Sequence, residues 1–186
     1  MASNSTSRSA VEALVEAHSS EASLVAISGA CKIGIKGPGA IAWLGDHKAP
    51  CPTDIYGTVR VDDGSLVVRI ASDEVIVESS DSGGMVQRID RELGEHTDGV
   101  YRVEQQSETL LLSGSRAGRV WAEACGVNVV RASVDRIIYT RVAGISCGII
   151  PEGEDDQRSY RIWVDYSYAP GFYRTVMEIL GQVSED

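Results

Sequence analysis

Four cysteines, three histidines and a surplus of acids are the groups in this 186-residue chain that could hold a metal or move a proton. Cys31, Cys51, Cys125 and Cys147 lie far apart, none in a C-x-x-C pair, and His18, His47 and His96 are scattered among them. Such spacing offers no metal-ligand cluster. It reads instead as free thiols, buried or half-buried, in a reducing compartment. No nucleophile elbow, Walker P-loop or H-E-x-x-H motif is read. Gly34-Ile35-Lys36-Gly37-Pro38-Gly39 is glycine-rich. It lacks the G-x-G-x-x-G spacing, however, and Pro38 removes a backbone N–H that a phosphate would need. A strand-to-helix turn explains these glycines better. The acid pairs Asp62-Asp63 and Asp155-Asp156 fall in turn or loop settings, where a solvated surface is the usual meaning. The expectation is a chain with no catalytic residue and no metal of its own.

Composition narrows the partners. The chain has 17 basic residues against 27 acidic ones, a net charge of −10. That surface repels phosphate backbones, so nucleic acid is not an expected partner. No stretch of ~18 apolar residues occurs, so no membrane span is expected. Residues 1–8 are rich in Ser and Thr with no apolar core. They read as a disordered tail, not a signal peptide, and a cytoplasmic location follows as the expectation.

The elements that would carry these groups can be placed from periodicity and turn chemistry. Ser9-Ala10-Val11-Glu12 has the form of a capping box and predicts a helix to about His18, with Val11, Leu14 and Val15 as its stripe. Strands are predicted over Leu24–Ser28 and Cys31–Ile35, then a short helix over Ala40–Leu44 after Gly37-Pro38-Gly39. Gly57–Val61 and Leu66–Ile70 form a hairpin about Asp62-Asp63-Gly64, because Asp-Gly supplies the positive φ angles of such turns. A strand over Glu74–Glu78 and a helix over Met85–Leu93 follow, the latter with Val86, Ile89 and Leu93 on one face. The order then recurs. A strand over Thr109–Ser113 leads to a helix capped by Ser115, with Ala117, Val120, Trp121 and Ala124 on one face. Arg136–Arg141 and Ile145–Ile150 flank a turn at Gly144. After an acidic loop, Pro151–Gln157, comes a strand over Tyr160–Asp165. Pro170 opens a last helix that buries Phe172, Val176, Ile179 and Leu180.

This recurrence reads as an internal duplication. Ile35-Lys36-Gly37 and Leu112-Ser113-Gly114 both end a strand and begin a helix, with Trp43 and Trp121 at similar distances beyond. Gly64 and Gly144 both sit in hairpin turns, and each half closes with a strand and an amphipathic helix. The predicted class is α+β: duplicated α/β half-domains with mostly antiparallel sheets. Residues 9–186 would form one domain, its halves covering about 24–97 and 98–186.

Particular segments also carry a resemblance. Leu112-Ser113-Gly114-Ser115-Arg116-Ala117 and Cys125-Gly126-Val127-Asn128-Val129 are similar to a segment in the gamma subunit of heterotetrameric sarcosine oxidases. Thr140-Arg141-Val142-Ala143-Gly144-Ile145-Ser146 resembles a hairpin of that family. Ser167-Tyr168-Ala169 with Tyr173 resembles the start of its terminal helix, and Ile35-Lys36-Gly37-Pro38-Gly39 its first-half turn. The likeness runs from about Leu24 to Leu180. Two places depart from it: Arg102-Val103-Glu104 stands where the family often has Asp-x-Ser, and Gly114-Ser115-Arg116 where it has Gly-Pro-Arg. The resemblance implies the folate-binding aminomethyltransferase fold of the glycine-cleavage T-protein. It also implies a complex that oxidises a secondary N-methyl amine, with alpha, beta and delta-type subunits as partners. FAD, FMN, NAD and tetrahydrofolate would belong to that parent complex, none bound by this chain alone. The gamma subunit would have no catalytic residue. The competing readings are a single-chain tetrahydrofolate-binding aminomethyltransferase-like protein and a regulatory or small-molecule binding module of the same fold.

Six residues stand out in that light. Arg141, at a strand end, reads either as a cation near an anionic folate tail or partner carboxylate, or as a surface arginine paired with an acid. Arg116 has the same two readings. It sits at a helix N-terminus, where the dipole does not favour a cation. Trp43, Trp121 and Trp163 read as core or interface anchors. Trp163 alternates out of phase with Tyr160, Ile162 and Val164, on a face with Arg161 and Asp165. An aromatic on such a polar face suits a subunit contact, as does Tyr168.

Overall fold

Residues 22–27, 29–79, 84–94, 97–154 and 158–183 are described by the computed structural model. The helix predicted over Ser9–His18 lies outside them. In the first half the elements are β1 (Ser23–Ala26), β2 (Cys31–Lys36), α1 (Ala40–Asp46), β3 (Thr58–Arg60), β4 (Leu66–Ala71), β5 (Glu74–Ser79) and α2 (Met85–Leu93). The second half holds β6 (Tyr101–Glu104), β7 (Ser107–Ser113), α3 (Ala117–Ala124), a 3-10 turn (Val129–Arg131), β8 (Ile138–Val142), β9 (Ile145–Glu152), β10 (Ser159–Asp165) and α4 (Ala169–Val183).

The strands form two five-stranded antiparallel sheets, ordered β3-β4-β5-β2-β6 and β1-β7-β10-β9-β8. Four strands of each match in order, β2 with β7, β5 with β10, β4 with β9 and β3 with β8. The register matches too. Lys32 pairs with Glu78 as Thr109 pairs with Trp163, and Leu66 pairs with Glu78 as Gly148 pairs with Trp163. The duplication is therefore present residue by residue in the ladders. The fifth strand of each sheet comes from elsewhere. β1, which opens the first half, adds to β7, while β6, which opens the second half, adds to β2. β6 was not legible as a strand, since three of its four residues are exposed and carry no alternation.

Where the two sheets join, the pseudo-symmetry is explicit. Gly57 bridges Arg136. Thr58 N donates to Asp135 O at 2.7 Å and Ile137 N to Tyr56 O at 2.9 Å. By register Thr58 corresponds to Ile137, and Tyr56 to Asp135, so each bond is the image of the other.

Strand alternation sorts the core into three layers. Val75 and Val77 of β5 pack with Ile33, Ile35, Leu44, Val86 and Ile89 under α1 and α2. Tyr160, Ile162 and Val164 of β10 pack with Leu110, Leu112, Trp121, Phe172 and Val176 under α3 and α4. Between the sheets, Leu66, Val68 and Ile76 meet Ile137, Ile150 and Trp163. The start of α2 is capped by other elements. Met85 N and Val86 N donate to the buried hydroxyls of Ser65 and Ser79, at 3.3 and 3.1 Å. The cap position of α3 does not fall on Ser115. That helix starts at Ala117 with Arg116 at the cap position and no side-chain cap bond. The chain enters through a backbone turn at Gly114 (φ +106°), where Ala117 N donates to Gly114 O. No helix among the described residues is long and apolar enough to cross a membrane.

Candidate functional site

Alternation that sends Val75 and Val77 outward sends Glu78 inward, between the sheets, where it is 3% exposed. A buried carboxylate needs charge and hydrogen-bond partners, and Glu78 has four. Its Oε2 accepts from Trp163 Nε1 at 2.6 Å and from Thr109 Oγ1 at 2.6 Å, and Lys32 Nζ lies 3.3 Å away. Its Oε1 accepts from Arg161 Nη1 at 2.7 Å. Lys32 also donates to Ser107 O at 2.8 Å and stands 5.5 Å from the Trp163 ring centroid. Burial lowers the Lys32 pKa, with Glu78 opposing. Burial also acts to lower that of Arg161, but Glu152 and Glu78 more than reverse it. Arg161 Nε bonds Glu152 Oε1 at 2.6 Å, and Arg60 joins the same carboxylate.

This cluster corrects the reading of Trp163. The indole is not on an outer polar face but 5% exposed between the sheets. The polar residues beside it mark a charge cluster covered by the other sheet, not solvent.

Beside Trp163 opens a cleft of about 480 Å³, lined by Ile76 and Trp163 from the facing sheets, by Gln105 and Ser107, and by Tyr139 and Arg141 of β8. Gly148, which pairs with Trp163, leaves this wall thin, since a Cβ there would lie 2.8 Å from Ile137 Cδ1 and 3.1 Å from Tyr139 Cε1. Tyr139 is half exposed and stands edge-on to Tyr56 at 6.0 Å. Its phenol is pushed up to about 12 by desolvation, then by Glu74 and Tyr56. Cys147 also lines the cleft, and burial pushes its thiol up to about 12. No carboxylate, histidine or lysine is among the lining residues, and no metal-binding group occurs among the described residues.

Of the predicted site residues, Arg141 lies in this cleft. It is exposed and makes no ion pair among the described residues. Arg116 is partly buried at the start of α3 and is not among the cleft's lining residues. Tyr168 is 60% exposed in the turn before α4. His47 stacks on Trp43 at 4.0 Å and bonds the Trp43 carbonyl, a helix-end role.

One motif escapes the sequence reading. Gly144-Ile145-Ser146-Cys147-Gly148 has the G-x-S-x-G spelling of a nucleophile elbow. An elbow needs a strand-to-helix turn with a base beside the serine. These residues instead form the β8–β9 turn and the start of β9, and no base lines the cleft with Ser146.

No protein-family profile matches the chain, and no curated protein sequence does. Solved structures do. A chain of the heterotetrameric sarcosine oxidase from Corynebacterium sp. U-96, solved with pyrrole 2-carboxylate, matches with a TM-score of 0.71 at 19% identity. The match covers 87% of this chain and 84% of that one. The glycine cleavage system aminomethyltransferase T from Bartonella henselae matches with a TM-score of 0.65 at 16% identity, over 84% of this chain but 45% of its own. At such identities the likeness establishes a shared fold. It is the aminomethyltransferase T-protein fold that the resemblance implied, built from two antiparallel sheets and helices.

Proposed function

We propose that this chain is a non-catalytic, gamma-like subunit of a heterotetrameric sarcosine oxidase-type complex that oxidises a secondary N-methyl amine. The reading is carried by near-reciprocal coverage. The matched sarcosine oxidase chain is of nearly this length and comes from a heterotetramer, whereas this chain spans less than half of the aminomethyltransferase. The cleft supports it, since no carboxylate, histidine or lysine lines it and burial keeps its Cys147 thiol and Tyr139 phenol protonated at neutral pH. The partners would be alpha, beta and delta-type subunits carrying FAD, FMN, NAD and tetrahydrofolate. Arg141, at the cleft mouth, and Arg116 would each meet a folate tail or a partner carboxylate, and Tyr168 a partner surface.

Affinity capture of the tagged full chain from its native source tests this. Three further subunits with flavin absorbance should co-elute in fixed ratio. Recovery of the chain alone, or methylene transfer to tetrahydrofolate by the isolated chain, would sink the proposal.

A further inference from the structure

We propose that the pocket between the start of α3 and Arg158 is a binding site for a small oxyanion, a carboxylate or a phosphate. The pocket has a volume of about 230 Å³, walled by Gly114, Ser115, Ala117 and Gly118 on one side and by Val130, Arg158 and Tyr160 on the other. At about 30 Å³ per water, it holds an oxyanion with a few waters. No carboxylate lines it.

Arg158 supplies the charge. Its Nη1 donates to Val130 O at 2.8 Å and its Nη2 to Ala132 O, both neutral carbonyls. Its Nε is buried without a partner. No acid among the described residues pairs with it, although the chain has acids in surplus. With its two Nη groups on neutral carbonyls and its Nε unbonded, the guanidinium keeps N–H donors and a charge that suit an anion.

Tyr160 supplies the second, independent feature. It is 2% exposed, packs edge-on against Trp121 at 5.2 Å and lines the pocket. Its hydroxyl makes no hydrogen bond within the described residues. The ring is buried while the hydroxyl itself is not sealed from solvent, so its O–H is available to an acceptor in the pocket. Burial raises the phenol's pKa, with Arg158 opposing, so the group stays a donor at neutral pH. The positive end of the α3 dipole faces the same space, beside Gly114 and Ala117.

The test is an NMR titration of the ¹⁵N-labelled full chain with sodium phosphate, sodium acetate or sodium chloride at matched ionic strength. Phosphate or acetate should shift the Gly118 and Ser115 amides saturably, and chloride should not. Saturation by phosphate alone or by acetate as well both support the site and set which oxyanion it takes. Tyr160→Phe keeps the ring packing and should weaken the apparent Kd about tenfold, the loss of one charged hydrogen bond. Arg158→Gln should abolish saturation. Equal shifts with chloride, or wild-type saturation in Tyr160→Phe, would overturn the assignment.

Discussion

Glu78 and Trp163 hold equivalent places in the two repeated sheets, and the indole of one donates to the carboxylate of the other at 2.6 Å. Their cross-strand neighbours, Lys32 and Thr109, are equivalent too, and both reach the same carboxylate. The pseudo-symmetry thus converges four positions on one buried charge while keeping their chemistry different. Two identical carboxylates facing each other there would repel, and two indoles would leave Lys32 without a counter-ion.

Substitutions in this cluster should rank by what they leave unpaired. Glu78→Ala strands Lys32 and weakens the anchoring of Arg161, and should cost about 3–5 kcal/mol in urea unfolding. Trp163→Phe removes one donor to a charged acceptor and should cost about 2 kcal/mol. Lys32→Met removes the buried cation itself while Arg161 still balances Glu78, so it should cost least. A Lys32→Met loss larger than that of Glu78→Ala would contradict the assignment of Glu78 as the hub.

Alkaline pH should destabilise the chain through two groups. The Cys147 thiol rises from 9.0 to about 12 and the Tyr139 phenol from 10.0 to about 12 on folding. Each therefore contributes stability that is complete below its unfolded value and is lost as pH climbs towards 12. The slope for buried Cys147 cannot exceed about 1.4 kcal/mol per pH unit, and solvent screening makes that of half-exposed Tyr139 smaller. Urea midpoints measured from pH 8 to pH 12 should fall, and Cys147→Ala should flatten the lower part of that fall.

Two glycines with positive φ should respond unequally to alanine. At Gly64 (φ +82°) a Cβ meets nothing within 4 Å, so only left-handed strain applies, about 1 kcal/mol. At Gly37 (φ +126°) a Cβ would lie 2.4 Å from Gly99 O, a backbone atom just ahead of β6. Gly37→Ala should cost well over ~2 kcal/mol and loosen β6, seen as faster amide exchange at Arg102. Equal costs would show that the backbone at Gly99 moves freely.

The proposed assembly separates contact residues from fold residues. Tyr168→Ala and Arg141→Glu change exposed side chains and should leave stability within ~0.5 kcal/mol. Partner capture should nonetheless drop severalfold for each. Unchanged capture in both would place the partner surface elsewhere on the chain.

Much of the architecture was legible because it is local. The Asp63-Gly64 turn, the Val86/Ile89/Leu93 stripe and the Phe172/Val176/Leu180 face are each set by residues a few positions apart. The repeat was legible for the same reason, since each half restates its strand-to-helix turn. Trp163 was not. Its strand alternates Tyr160, Ile162 and Val164 against Arg161, Trp163 and Asp165, a pattern that suits a solvent-facing edge equally well. The residue that turns that face inward, Glu78, lies 85 positions earlier, beyond any window of periodicity. The cleft is a product of the same long-range packing. Arg141 could be singled out as a cation at a strand end, but not as part of a wall shared with Ile76.

Ser23 Oγ meets Ser113 Oγ at 2.9 Å across 90 residues of chain, and this distance sets an order of events during synthesis. As the polypeptide leaves the ribosome, residues 23–26 emerge early and have no mate until residues 110–113 follow. Meanwhile β2 waits with an open edge for residues 101–104. Any fragment released before that point exposes unsatisfied backbone on a β-prone surface, a template for aggregation. Docking of residues 23–26 therefore waits on residues 110–113, a pairing of high sequence separation that no earlier stretch can replace.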